Sequence, residues 1–116
     1  MKLAKVLAVA APIALLGSQA SAENWVKILN DEYFGEFVID RDSIRRGSDG
    51  LVYYSSDGDS REAAAADCRG RIKYTLKLYD MRGEPMEFSD WRQNGRPVVA
   101  NSVGEALFKY ACANAE

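Results

Sequence analysis

Carboxylates are the side chains that could perform acid–base chemistry in this chain, because its 116 residues include no histidine. Histidine is the commonest general base, and its absence removes the usual catalytic triads and most transition-metal sites. Asp40 with Asp42, and Asp57 with Asp59, could each supply an acid and a base. Aspartates two residues apart are more simply explained as turn residues that accept backbone hydrogen bonds. The sequence therefore predicts no catalytic residue and a protein that is not an enzyme.

Asp57 and Asp59 also resemble the start of a calcium-binding loop, in which acidic side chains occupy alternate positions. The next alternate position holds Arg61, and the glycine and the distant glutamate of such a loop are missing as well. We therefore expect no metal site and no cofactor.

A group of arginines near tyrosines is the strongest candidate for a binding site. Arg41, Arg45 and Arg46 follow one predicted strand, and Tyr53 lies in the next. Arginine and tyrosine are enriched among the residues that contribute most to protein–protein binding. The alternative is a solvated turn beside ordinary aromatic packing between strands. Both interpretations are open at this stage, and these four residues form the predicted binding site.

The first 22 residues have the three parts of a secretory signal peptide. Lys2 and Lys5 form a basic start, residues 6–16 are mainly apolar, and residues 20–22 are Ala-Ser-Ala, which fits a cleavage site. The apolar run is too short to span a bilayer comfortably. We expect cleavage after Ala22 and no transmembrane segment in the mature chain. The exported protein is predicted to be periplasmic, with the cell surface or the medium as alternatives.

Cleavage would remove two lysines and no acidic residue, so the net charge would change from −2 to −4. Nucleic acid and anionic membranes are bound by concentrated basic surfaces, so neither is expected as the main partner. Removing 22 of the 116 residues leaves 94, residues 23–116, which suit one small domain.

Cys68 and Cys112 are the two cysteines of the chain. Export to an oxidising compartment favours a disulfide between them. A redox-active pair and a pair of metal thiolates are the alternatives, but the chain has no Cys-x-x-Cys motif and no histidine to complete a zinc site.

Patterns typical of β-strands occupy most of the mature chain. The clearest runs from Ile72 to Leu78 and alternates apolar with polar side chains, so that one face should lie on a core. The alanine run at residues 63–66 favours helix by intrinsic propensity, but we predict a crowded strand there. Other strands are predicted at residues 25–29, 33–39, 51–55, 84–91 and 98–100, and a tight turn or a single helical turn at residues 40–46.

The chain ends in a predicted helix that begins at Ser102. Ser102 and Glu105 form a capping box, in which each side chain accepts a hydrogen bond from the backbone N–H of the other residue. Apolar residues then recur with helical spacing as far as Cys112. A series of strands followed by one helix predicts an α+β fold, with an antiparallel sheet of about six strands and the C-terminal helix packed on its apolar face.

Several segments of the mature chain match a known pattern when they are taken together. They are Trp25, residues 37–40 with Ser43-Ile44 after them, Asp67-Cys68-Arg69, Tyr79-Asp80, and Asn101-Ser102 leading to Cys112. This set resembles the surface-adhesin protein E family of Gram-negative bacteria. The resemblance implies that residues 23–116 form a curved antiparallel sheet with a C-terminal helix tied to it by a disulfide. It also implies binding to host extracellular-matrix proteins at the cell surface.

The predicted function is that of an exported, non-catalytic binding module for a protein ligand, with adhesion to extracellular-matrix proteins as the function that the resemblance implies. One alternative is a periplasmic inhibitor of a hydrolase, which would insert the polar loop of residues 56–62 into an active site. Another is an enzyme that uses carboxylates, which would gather acidic side chains of raised pKa in a cleft.

Overall fold

The structure is a computed structural model and describes residues 23–116. The predicted signal peptide, residues 1–22, lies outside the described residues. The elements in chain order are β1 Trp25–Asp31, β2 Gly35–Arg46, β3 Val52–Asp57, β4 Glu62–Asp67, β5 Ile72–Tyr79, β6 Pro85–Glu87, the 3₁₀ helix Trp91–Gln93, β7 Arg96–Pro97 and α1 Val103–Asn114.

The strands form one antiparallel sheet in which neighbours in the chain are neighbours in the sheet. Strands β1 to β6 pair in sequence order, and the two-residue β7 pairs with β5 on the same side as β6. The sheet is open, and α1 packs on it and is joined to the end of β4 by a Cys68–Cys112 disulfide. The predicted α+β architecture and the predicted disulfide are therefore confirmed.

This simple strand order places the connections alternately at two ends of the sheet. The connections at residues 32–34, 58–61 and 80–84 lie at one end, which we call the free end. Those at residues 47–51 and 68–71 lie at the other, which we call the disulfide end because Cys68 is there.

The hydrophobic core lies between α1 and one face of the sheet, which we call the helix face. Three alanines of β4, Ala64, Ala65 and Ala66, are almost completely buried, and two of them lie directly in this core. The predicted strand at the alanine run is thus confirmed, because burial between layers overrides the intrinsic preference of alanine for helix. The buried members of the core are Ile39, Val52, Tyr54, Ala64, Ala66, Leu107, Phe108 and Ala111.

Helix α1 is capped nearly as predicted. The Glu105 N–H donates to the Ser102 hydroxyl at 3.1 Å. The Glu105 carboxylate, however, accepts from the Asn101 N–H at 2.9 Å, while the Ser102 N–H donates to the carbonyl of Val99. The box is therefore shifted by one residue on its return contact, and the start of the helix is unchanged.

Residues 40–46 continue β2, so the turn predicted there is wrong. The pairing of β2 with β3 is regular up to Asp40 and resumes at Arg45, with extra residues of β2 between them. The Ser43 hydroxyl donates to the Asp40 carbonyl at 2.6 Å and accepts from the Ser55 N–H of β3 at 2.8 Å. The polar residues that suggested a turn thus hold a β-bulge.

Two predicted strands near the end of the sheet are also displaced. Pairing of β6 stops at Glu87, well before the predicted end at residue 91, and a 3₁₀ helix follows. The closing strand is Arg96–Pro97 rather than residues 98–100. The Phe88 N–H still donates to the Leu76 carbonyl at 3.0 Å, and the chain then crosses the face opposite α1, where Trp91 packs on Tyr53 and Tyr74.

The apolar residues of β5 as far as Leu76 lie on that opposite face, which we call the outer face, whereas Leu78, beyond a register shift, pairs with Glu62 on the helix face. Tyr74 pairs with Ala65, and Ala65 pairs with Tyr53, so these three side chains share a face. That face is opposite α1, because Val52, the neighbour of Tyr53 in β3, packs in the core beneath the helix. Strand β5 is confirmed, but the side of its apolar row was not predictable from alternation alone.

None of the helices in the described part of the chain is long and apolar enough to cross a membrane.

Candidate functional site

Three aromatic side chains pack together on the outer face. Trp91 packs edge-to-face with two tyrosines, and its ring centroid lies 6.1 Å from that of Tyr53 and 5.6 Å from that of Tyr74. Edge-to-face packing of this kind is favourable beyond the area that it buries. All three side chains are half-buried, so part of each ring faces solvent. We call Tyr53, Tyr74 and Trp91 the aromatic face.

The loop that carries Trp91 is fixed to β5 by its neighbours. Asn94 accepts from the Thr75 N–H at 3.0 Å and donates to the Thr75 carbonyl at 2.8 Å, so its side chain satisfies both backbone groups of one strand residue. A Cβ atom at Gly95 would lie 2.6 Å from the Tyr74 ring. The close approach of the loop to β5 therefore needs glycine at this position.

Charged side chains hold Tyr53 from two directions. Its hydroxyl donates to the Asp49 carboxylate at 2.6 Å, and the Arg92 guanidinium lies 3.2 Å from the same carboxylate. Burial, and then the hydrogen bond to Asp49, raise the pKa of Tyr53. The hydrogen bond from Tyr53, and then that from the Leu51 N–H, lower the pKa of Asp49. The Arg45 guanidinium lies over the Tyr53 ring, 4.6 Å from its centroid.

The structure therefore brings two of the predicted binding residues, Arg45 and Tyr53, into direct contact. The other two lie elsewhere, Arg46 because neighbouring residues of a strand point to opposite faces and Arg41 because the bulge of β2 lies between it and Arg45. Arg46 pairs with Val52 and lies on the side of α1. Arg41 donates to the Tyr110 hydroxyl of α1 at 3.0 Å.

The predicted arginines nevertheless line adjacent depressions at the disulfide end. One depression is lined by Arg41, Asp42, Arg45, Arg46, Asn114 and Glu116. The next shares Arg46 and adds Gly50, Asp67 and Arg69. Arg69 was missed in the sequence because only the strand order brings its turn beside residues 47–51. We call Arg41, Arg45, Arg46 and Arg69 the arginine end.

The outer face has two depressions of its own, which meet at Leu76. One lies over the small residues Ser55 and Ala63 and reaches Lys77, and the other reaches Trp91. Leu76 belongs to the apolar row of β5 that was predicted to face a core, and Trp91 follows β6. Both are candidates for binding because α1 packs on the other face of the sheet.

Asp40 and Asp57, one from each acidic pair considered for catalysis, accept hydrogen bonds from backbone N–H groups. One Asp40 carboxylate oxygen accepts from the N–H groups of Asn24 and Asp42, at 3.0 and 3.1 Å. Asp57 accepts from the N–H of Gly58 at 2.8 Å. Among residues 23–116, no three His, Cys, Asp or Glu side chains are grouped so that they could hold a metal ion.

Replacing Asp49 by asparagine is expected to lower the pKa of Tyr53. The amide keeps a hydrogen-bond acceptor but removes the negative charge that opposes formation of tyrosinate, while the contribution of burial is retained. An NMR titration of the tyrosine ring carbons would measure the change, with Tyr53→Phe to assign the signal. A Tyr53 pKa that is the same in both proteins would contradict the contact with Asp49.

No family model, curated protein or solved structure matches this chain. The resemblance to the surface-adhesin protein E family therefore stays a prediction, and the two surfaces are interpreted from their own chemistry.

Proposed function

We propose that residues 23–116 form an exported, non-catalytic binding module whose protein ligand contacts the aromatic face and Arg45. The observation that carries this proposal is the stacking of Arg45 on Tyr53 beside Trp91, on a face of the sheet that α1 does not cover. Tryptophan, tyrosine and arginine are the residue types that most often dominate protein interfaces.

The side chains of this surface are held in place before any ligand binds. Edge-to-face packing fixes Tyr53, Tyr74 and Trp91, and the hydrogen bond to Asp49 fixes the Tyr53 hydroxyl. A side chain that is already ordered loses little conformational entropy on binding. A preorganised aromatic surface with an arginine at its edge therefore suits recognition of another protein.

The geometry of the β3–β4 connection favours this proposal over a hydrolase inhibitor. The connection is residues 58–61, and its last residue is not free to move into an active site. The Arg61 guanidinium lies over the rings of Trp25 and Tyr79 and is paired with Glu23. Only a very short tip at Asp59 and Ser60 is left exposed, so binding through a face of the sheet is the better account.

Export rests on the predicted signal peptide, and adhesion to extracellular-matrix proteins rests on the resemblance. Cell fractionation with protease treatment of intact cells separates the possible locations. Loss of the mature protein under protease would favour the cell surface and a matrix ligand. Protection, with release in the periplasmic fraction, would favour a periplasmic ligand. Retention in the cytoplasm would contradict export altogether.

Replacing Leu76 by glutamate should reduce ligand capture by about tenfold or more, because a charge would then lie where the two outer depressions meet. The measurement is affinity capture from the extracytoplasmic fraction with the mature protein as bait. Met81→Glu is the matched control, since Met81 is fully exposed in a connection at the free end. Equal capture by both variants, with folding confirmed by circular dichroism, would contradict a ligand site on the outer face.

A further inference from the structure

We infer that the arginine end binds an acidic segment of the protein ligand; this inference rests on the proposed function and adds the chemistry of the partner. Three of the four arginines make their hydrogen bonds or stacking contacts with neutral groups. Arg41 donates to Tyr110 and to the Asn114 side chain, at 3.0 and 2.8 Å. Arg46 donates to the Gly50 carbonyl at 3.4 Å, and Arg45 lies on the Tyr53 ring.

Ion pairing elsewhere shows that this lack of carboxylate partners is local. Within residues 23–116, no member of the arginine end forms an ion pair. The cations that do form ion pairs are Lys27, Arg61, Arg71, Lys73, Arg92 and Lys109. The arginine end therefore has charge that is available to a partner.

Four exposed acidic residues lie at the free end, away from these arginines. The connections at the free end contain Glu32, Asp59, Asp80 and Glu84, all exposed. Residues 23–116 carry a net charge of −4, whereas the arginine end has four cations against three carboxylates, Asp42, Asp67 and Glu116, that line its depressions. An uneven charge distribution of this kind steers and orients a charged partner.

The mixture of charges at the arginine end favours an acidic protein segment over a uniform polyanion. Asp42, Glu116 and Asp67 line the same depressions as the arginines. A polymer with a charge on every unit would bring negative groups against these carboxylates. A peptide with spaced acidic residues can place its carboxylates on guanidinium groups, which bind them through two parallel hydrogen bonds, and avoid the acids.

One contact connects the arginine end to the aromatic face, and another orders an arginine before a ligand binds. Arg45 belongs to the arginine end and also stacks on Tyr53 of the aromatic face. Arg41 is held by two side chains of α1, and Asn114 is itself held by a hydrogen bond to the Tyr110 carbonyl at 2.8 Å. An acidic segment could therefore lie across the arginines with an apolar side chain on the aromatic face.

The test uses the mature protein and a labelled peptide in which glutamate alternates with serine around one central phenylalanine. Fluorescence anisotropy should detect binding that weakens as salt is raised. Arg46→Glu should weaken it by about tenfold or more. Arg82→Glu makes the same charge change in an exposed connection at the free end and should have less than about a twofold effect.

Other probes distinguish failure of this inference from failure of the proposed function. A lysine version of the peptide that binds equally well and shifts NMR signals of the aromatic face would overturn the acidic chemistry but keep a peptide site. Tighter binding of heparin or of anionic phospholipid vesicles would assign the arginines to a polyanion instead. Sedimentation showing self-association that a Glu84→Lys change abolishes would identify a second copy as the acidic partner and overturn a separate one. Binding of none of the probes would also overturn the inference, whereas capture that is unaffected by Leu76→Glu would overturn the proposed function.

Discussion

Replacing Cys112 by serine is expected to lower the free energy of unfolding by about 2–4 kcal/mol. The disulfide joins residues 44 positions apart, so it restricts a long loop of the unfolded chain and ties α1 to β4. A loop of this size corresponds to at most about 4 kcal/mol in the chain-entropy model. Because a small domain has only about 5–10 kcal/mol of net stability, the loss should be visible in both thermal and urea unfolding.

Three controls isolate the bond from the substitution. Cys68→Ser and the double variant should match Cys112→Ser, and the unchanged protein under reducing conditions should fall to the same stability. Melting that is unaffected by reduction would contradict a stabilising role for the disulfide.

Replacing Phe108 by alanine should lower the free energy of unfolding by about 3–5 kcal/mol, because it leaves a cavity between α1 and the helix face. Phe108 is 3% exposed and packs with the buried residues of both layers. Phe34→Ala is the matched control, since Phe34 is 59% exposed in the β1–β2 connection and should cost less than about 1 kcal/mol. Similar losses in the two variants, measured by urea unfolding, would mean that α1 does not seal the main core.

The sequence predicted the structure best where a short local pattern is compatible with a single structure. The Ser102 cap and the helical spacing after it located α1, and two cysteines in an exported chain allowed one intramolecular pair. The alanine strand required an argument about layers, because its burial depends on α1, which lies far along the chain.

The features that could not be predicted depend on contacts between distant residues. Alternation located β5 but could not say which face α1 covers, so Leu76 was assigned to a core that lies on the other side. Residues 89–95 cross the outer face because Trp91 packs on Tyr53 and Tyr74 and Asn94 hydrogen-bonds to the backbone of Thr75. These partners are distant in the chain, so no local sequence pattern indicates the contacts.

The residue types of the candidate site were predictable from the sequence, but the positions of these residues on the two faces were not. Residue types pointed to arginines and a tyrosine, and the contact of Arg45 with Tyr53 lies within that set. The β-bulge then distributed the arginines over both faces, and the strand order added Arg69 from a separate turn. The binding role of Arg41, Arg45, Arg46 and Tyr53 stays a prediction.

Site-specific photo-cross-linking in living cells tests the central claim most directly. A benzophenone amino acid would be placed at Leu76 on the outer face and, in separate strains, at Met81 on the free end and at the exposed Val99. We predict a covalent adduct with one extracytoplasmic protein from Leu76 and none from the other two positions. An adduct only from Met81 or Val99, or none from Leu76 in a correctly exported protein, would contradict binding through the aromatic face.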